Sequence, residues 1–259
     1  MLSLSEIQSF FPQSLQRYPR FMLREYLQYK ILDIIYTSHY ASFLGFLGGT
    51  CLRIVHGNQR FSEDLDFDNR GMKEKQFLEI ANSIKKQLEL EGYKIEIKLV
   101  LRGAWHCYIK FPRLLSGAGL SEYIEEKILI RIDTEPQDYQ YEPERVILNK
   151  FEVFTTILTV PLPILLSQKL FAILNRSRKQ GRDFFDVVFL MSKGVQPDYG
   201  FLNAKINIDD AVTLKKAILD ICQSLDMINF AKDVEPFLFN SADMQKVVRF
   251  ADYFRQSFY

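Results

Sequence analysis

Histidine, tryptophan and cysteine are scarce in this chain, and net charge is almost absent. There are three histidines (His39, His56 and His106), one tryptophan and no G-x-S-x-G, so no serine–histidine–acid nucleophile arrangement is visible. The three cysteines, Cys51, Cys107 and Cys222, stand far apart without a C-x-x-C pair. That argues against a structural zinc site or a disulfide framework and fits a reducing cytosol. Lys and Arg total 33 against 32 Asp and Glu, a formal charge of +1. A nucleic-acid partner would therefore have to be met by a local basic patch. The longest apolar run, 157–166, contains Pro161 and Pro163 and is too short for a bilayer, which needs about 20 apolar residues. The N-terminal stretch MLSLSEIQSFFPQSLQRYPR lacks the apolar centre of a signal peptide. These absences predict a soluble, cytoplasmic protein with no membrane partner.

What is present suffices for one large core or two modest ones: 259 residues, 47% of them hydrophobic. Apolar residues at helical spacing (Leu23, Leu27, Ile31, Ile34, Ile35) predict an amphipathic helix over 21–43. A short helical piece is expected over 51–55, then a turn at 56–59 and a strand over 61–67. Residues 73–91 read as a helix ended by Gly92. Strands are expected over 93–101, 106–111 and 127–134, with a further one at 151–160. Beyond Pro161 and Pro163 the pattern is helical: 164–176, 183–193, 209–225 and 242–256. The expected fold class is α/β (α+β). A first domain, 1–160, carries a mixed sheet flanked by helices, and a mostly helical second domain covers 161–259.

Within the strand over 61–67, Asp64 and Asp66 project to one side, because residues i and i+2 of a strand share a face. Two carboxylates about 4 Å apart repel by roughly 4 kcal/mol at an effective dielectric near 20. Either one takes up a proton or a cation sits between them. A hard oxygen pair suits Mg²⁺ or Mn²⁺. Asp133, at the end of another strand, is positioned to add a third carboxylate. Three such groups are enough for two metal ions clamping a phosphoryl-type displacement. Upstream, Gly48, Gly49 and Thr50 form a turn that lets backbone approach a ligand, with the following helix pointing amides at an anion. A phosphate cradle beside a metal pair reads as a nucleoside triphosphate site. The plainer reading of D-L-D-F-D is a solvated edge strand.

These pieces resemble the nucleotidyltransferase superfamily pattern: a Gly-Gly turn, a D-x-D strand (Asp64-Leu65-Asp66) and a third acid on a later strand (Asp133). The stretch FLGGTCLRIVHGNQRFSEDLDF is similar to the AbiEii/AbiGii group of bacterial toxins from type IV toxin–antitoxin and abortive-infection phage-defence systems. So are FMLREYLQYKIL and LLSQKLFAILNRSRKQGRDFFDVVFL, the latter resembling that group's K-L…R…R-D-x-x-D-L signature. Val187 and Val188 depart mildly from it. The matching pieces run from about residue 22 to 191. The resemblance implies an Mg²⁺-dependent enzyme that moves a nucleoside monophosphate from an NTP to an acceptor, such as the tRNA 3′ end, with an antitoxin as partner.

The resemblance also assigns Lys169 to the triphosphate and Asp183 or Asp186 to the final acidic motif. Three roles stay open for that motif: orienting Lys169, holding the base, or activating the acceptor. Lys169 and Arg176 share a helix face. Arg182 precedes Asp183 at a helix start, where an acid is favourable in any case. The basic run Arg176, Arg178, Lys179 and Arg182 is the one strong local patch and the place for an RNA backbone, or simply a solvated loop. Arg53 can reach a phosphate or lie on the surface. Arg60 and Ser62 match the family's R-x-S-x-D-x-D and suit a phosphate or metal-shell position. His56 reads as a turn residue, Asp68 as a cap or solvated end, and Glu135 as lying beyond the pocket. Trp105 and His106 read as core packing or as a surface for a base. The set expected to act is Asp64, Asp66, Asp133, Lys169 and Asp186, with Gly48, Gly49, Thr50, Arg53, Ser62, Arg182 and Asp183 around the nucleotide. Two rival readings use the same residues: a catalytically silent nucleotide-sensing module, and a metal-dependent phosphohydrolase or nuclease.

Overall fold

A computed structural model describes residues 1–257; the last two residues of the expected second domain, 258 and 259, lie outside the described residues. Contacts divide the chain into two units. The first comprises Met1–Cys51, Phe61–Asp138 and Pro143–Thr159; the second comprises Leu52–Arg60, Tyr139–Glu142 and Val160 onward. Seven strands and twelve helices are found among the described residues, an α/β architecture.

The first unit runs α1 (Leu4–Ser9), α2 (Pro19–Tyr36), β1 (Leu44–Leu47), the start of α3 (Gly48–Ile54), β2 (Leu65–Asn69), α4 (Glu74–Leu90), β3 (Glu96–Leu101), β4 (Trp105–Phe111), α5 (Leu114–Gly117), β5 (Ile128–Glu135), β6 (Glu144–Lys150) and β7 (Val153–Thr159). The strands form one mixed sheet in the order β3-β4-β5-β2-β1-β7-β6. β2 pairs in parallel with β5 and antiparallel with β1, and β4 pairs antiparallel with β5. One face carries the row Leu65, Ile132 and Cys107, in register and buried. The opposite face carries Leu47, Asp66, Asp133 and His106, also in register. Helix α2 lies against β7 and β5, and α4 against α2 and β3.

Three local differences from expectation have physical causes. Helix α2 is not amphipathic but buried on nearly every side. Its polar residues are satisfied by partners: Glu25 by Lys150 at 2.8 Å, Lys30 by Glu91 and Glu152 at 2.7 Å each, and the Gln28 amide by the Ser62 and Glu63 carbonyls. It stops at Tyr36, seven residues early, where Thr37 and Ser38 hydroxyls donate back to carbonyls of the last turn and compete with the helix. Strand β2 begins at Leu65 rather than 61, because the carbonyls of Ser62, Glu63 and Asp64 accept from Gln28 and Thr50 side chains. It extends to Asn69 because β1, a strand that the sequence reading left unassigned, pairs Leu44 with Asn69. The edge strand β6 is absent from the expected pattern because its exposed face mixes Arg145 and Asn149 with the apolar Ile147, which blurs the alternation.

The second unit is helical: α6 (Leu162–Asn175), α7 (Gly181–Ser192), α8 (Tyr199–Ile206), α9 (Ala211–Gln223), α10 (Met227–Val234), α11 (Gln245–Val248) and α12 (Phe250–Ser257). Its core includes Leu170, Phe184, Phe185, Val187, Phe201, Leu214, Ile218, Phe250 and Phe254. Asp198, Asp210 and Asp226 cap α8, α9 and α10 by accepting amide hydrogen bonds. The helix expected over 242–256 is broken near Arg249, a break that the apolar spacing Val247, Phe250, Phe254 does not reveal. Among the described residues no helix is long and apolar enough to cross a membrane.

Gly181 opens α7, and its amide donates to Asp233 Oδ2 at 3.0 Å. A Cβ at this position would collide with the Phe230 carbonyl of α10. Gly181→Ala must therefore push α10 away from α7. The expected cost is about 1–3 kcal/mol, read as a lowered midpoint in urea denaturation.

Candidate active site

In the first unit the carboxylate row is set by strand register. Asp66 and Asp133 are direct partners across the parallel β2–β5 pair, and His106 partners Asp133 from β4. Asp64 precedes β2, on the same side as Asp66, and is half-buried. Gly48 begins α3 with φ at 79°, and a Cβ there would strike the Asp66 carboxylate. Only glycine allows this turn to lie on the aspartate. Gly49 follows it in α3, and Thr50 is buried with its hydroxyl donating to the Asp64 carbonyl. Ser62 lies in the extended segment before β2, its carbonyl accepting from Gln28.

A residue that sequence reasoning passed over stands among these acids. Arg131 Nη2 is 2.9 Å from Asp64 Oδ2, and its Nε is 2.9 Å from Asp133 Oδ2. Partial burial pulls the Arg131 pKa down, but Asp64, Asp133 and Asp66 outweigh it and leave it raised. The signal was present in the alternation: Arg131 sits two residues before Asp133 on one strand. His106 Nδ1 lies 2.6 Å from Asp133 Oδ1, so it orients an acid rather than only packing in the core. Asp68 is buried and accepts the Gln137 amide at 2.8 Å, while Glu135 is exposed.

Among the described residues no group of three His, Cys, Asp or Glu side chains is gathered closely enough to hold a metal ion. The donor chemistry nonetheless fits a hard divalent ion: Asp64, Asp66 and Asp133 offer carboxylate oxygens on one face, and a cation already lies between two of them in the form of the Arg131 guanidinium.

The second unit holds a separate, more deeply buried ion cluster. Asp186 on α7 is fully buried. Its Oδ1 accepts from Arg60 Nε at 2.7 Å and Asn58 Nδ2 at 2.8 Å, and its Oδ2 from Arg60 Nη2 at 2.6 Å, with Lys169 Nζ 2.9 Å away. Asp183, one helical turn earlier, meets Lys169 Nζ at 3.0 Å and Arg176 Nη1 at 2.6 Å. Burial pushes the Asp186 pKa up, but Arg60 and Lys169 reverse this and hold it at about 2. Burial lowers the Lys169 pKa, but Asp186 and Asp183 prevail and leave it raised. Arg60 thus spends its fork on Asp186, and Asn58, which the sequence marked only as part of a turn, is part of the cluster. Arg53 lies over the Phe239 ring at 4.5 Å and Arg182 over Phe237 at 5.0 Å. Arg178 is exposed, while Lys179 donates to the Leu174 and Arg176 carbonyls.

Asp186→Ala would leave Arg60 and Lys169 buried without their counter-charge. The expected loss of stability is about 3–5 kcal/mol in chemical denaturation at pH 7. His56 supplies a pH dependence. Its Nε2 is buried without a hydrogen-bond partner, and burial, aided by Lys193, pushes its pKa down to about 4. The folded pKa lies below the unfolded value near 6.5, so the unfolded chain binds the proton more readily. His56 therefore costs nothing above about pH 6.5, and stability is lost as pH falls towards 4. Denaturation midpoints of His56→Gln between pH 7 and 4.5 should fall less steeply than those of the native protein.

Residues 30–243 match the family described as nucleotidyl transferase AbiEii toxin, type IV TA system. No curated protein matches the chain. Among solved structures, JHP933 from Helicobacter pylori is similar with a TM-score of 0.56 and 17% identity over 92% of this chain and 91% of that one. A candidate nucleotidyltransferase from H. pylori is similar with a TM-score of 0.57 and 18% identity over 92% and 94%. At such identity these structures speak for the fold. The family match, spanning most of the sequence and including every element that carries the two acidic clusters, shows that the chain belongs to the AbiEii nucleotidyl transferase toxin family of type IV toxin–antitoxin systems.

Proposed function

We propose that this protein is a divalent-metal-dependent nucleotidyltransferase that moves a nucleoside monophosphate from an NTP to an RNA acceptor such as the tRNA 3′ end. It would act in the cytoplasm as the toxin of a toxin–antitoxin pair in phage defence. The observation that carries the reading is the register of Asp66 with Asp133, with Asp64 on the same side and Gly48 lying on the Asp66 carboxylate. Asp64, Asp66 and Asp133 would hold Mg²⁺ or Mn²⁺, which supplies Lewis-acid stabilisation of charge on the phosphoryl oxygens.

The chain's own residues do the rest. The Gly48–Thr50 turn would give the triphosphate close backbone approach, since Gly48 has no side chain and a positive φ that other residues rarely adopt. Attack of an acceptor hydroxyl on the α-phosphorus forms the new phosphodiester and expels pyrophosphate. We assign the hydroxyl proton to Asp133, a role supported by the His106 Nδ1 contact at 2.6 Å that orients its carboxylate. The family resemblance assigns Lys169 to charge neutralisation, and within its own unit Lys169 Nζ meets Asp183 and Asp186 at 3.0 and 2.9 Å. Of the three roles open to the last acidic motif, orienting Lys169 is favoured for Asp186, because its carboxylate is already saturated by Arg60, Asn58 and Lys169. A buried acid held as an anion is a poor proton acceptor. The exposed segment around Arg178 is assigned to the RNA backbone.

The test is label transfer. The native protein and Asp66→Ala are incubated with Mg²⁺, each α-labelled NTP in turn, and total tRNA. The native protein should label RNA, and Asp66→Ala should lower the rate by about a hundredfold or more with an unchanged circular dichroism spectrum. Transfer by Asp66→Ala at the native rate would overturn the metal assignment. RNA shortened rather than lengthened would favour a nuclease, and bound NTP without transfer would favour a sensing module.

A further inference from the structure

A cation on the strand of Asp133 touches the carboxylate row. Arg131 bridges Asp64 and Asp133 at 2.9 Å each, and His106 lies 2.6 Å from the other Asp133 oxygen. Both oxygens of Asp133 and one of Asp64 are thereby engaged by this chain's own side chains. A divalent ion seeking those oxygens meets a competitor already in place. The guanidinium donates one hydrogen bond, from Nη2 to Asp64 Oδ2 at 2.9 Å, and is held less firmly at Asp133. The Arg131 Nε–H is buried yet not aligned for a hydrogen bond to any acceptor, so charge rather than hydrogen-bond geometry keeps it beside Asp133. The side chain is 37% exposed, so an outward rotamer would not require the core to open.

The guanidinium also has a destination if displaced. A planar fork of N–H donors matches phosphate oxygens as well as it matches carboxylates. We infer, resting on the nucleotidyltransferase reading above, that Arg131 competes with the divalent ion for Asp64 and Asp133 and, once displaced, contacts the phosphates of the nucleotide. Metal and NTP then bind cooperatively. The metal frees the arginine for the phosphates, and the phosphates keep the arginine off the carboxylates. By linkage each ligand tightens the other by the same factor.

The experiment is a Mn²⁺ titration of the full chain followed by electron paramagnetic resonance, with and without an equimolar mixture of four non-hydrolysable NTP analogues. It is run on the native protein, Arg131→Gln, Arg131→Lys and Asp66→Ala, each checked for native circular dichroism. Arg131→Gln should bind Mn²⁺ alone about tenfold more tightly than the native protein, an effect expected of removing one cation near the site. It should also lose most of the enhancement that the analogues confer. Arg131→Lys keeps the charge without the fork, so it should bind Mn²⁺ alone much as the native protein does and show a reduced analogue enhancement. If Arg131→Gln matches the native protein in both titrations while Asp66→Ala loses Mn²⁺, the role of Arg131 is overturned and the metal site stands. If Asp66→Ala binds Mn²⁺ as tightly as the native protein, the metal reading of this face falls, and the Arg131 inference with it.

Discussion

The parallel pairing of β2 with β5 is the constraint on which the carboxylate chemistry depends. It places Asp66 opposite Asp133 and, on the reverse face, Leu65 opposite Ile132. A slip of one residue would exchange these rows, burying the acids and exposing the apolar side chains. Carboxylate repulsion, about 4 kcal/mol for a close pair at an effective dielectric near 20, opposes the observed register. Burial of Leu65, Phe67, Ile132 and Cys107 favours it, at about 1.5–3 kcal/mol for each large side chain. The apolar face wins on these magnitudes. The acids are held where they are by packing on the other side of the sheet.

The two units offset the charge of their acids by different means. On the sheet, Asp64 and Asp133 are partly exposed, and water and one partly exposed guanidinium share the work of solvating them. In the helical unit, Asp186 is removed from water altogether, and three side chains replace its hydration. The first arrangement leaves room for exchange of partners. The second does not, since removing any partner exposes a buried charge. An acid that must bind and release ligands belongs in the first setting, and an acid that must fix the position of a lysine belongs in the second.

Local pattern made part of this legible. Period-two alternation put Asp64 and Asp66 on one face, and helical spacing put Lys169 and Arg176 on one face, while the tie from Lys169 to Asp183 and Asp186 came from the family resemblance alone. Register and strand order were out of reach, because β2 and β5 are separated in sequence by β3, β4 and two helices. The link from Asn58 and Arg60 to Asp186 spans more than 120 residues and leaves no trace in spacing. Arg60 matched a motif beside the aspartate strand, and the motif drew attention away from its buried partner. Helix α2 was misjudged for a related reason. Its glutamate, glutamine and lysine looked like a solvated face, whereas partners distant in the sequence allow each to be buried.

Why the cation on the sheet is an arginine follows from the same geometry. Asp64 and Asp133 lie on different segments, and a single side chain reaches both because Nε and Nη2 sit at separate points of a rigid plane. A lysine ammonium is one point. It would have to sit between the carboxylates at a distance fixed by the strands, where its stronger hydration makes partial burial more costly. The planar fork spans the gap from one side while remaining over a third exposed. An arginine in this position satisfies the acids without closing the face to another ligand, and its donor pattern suits the phosphate groups that such a ligand would bring.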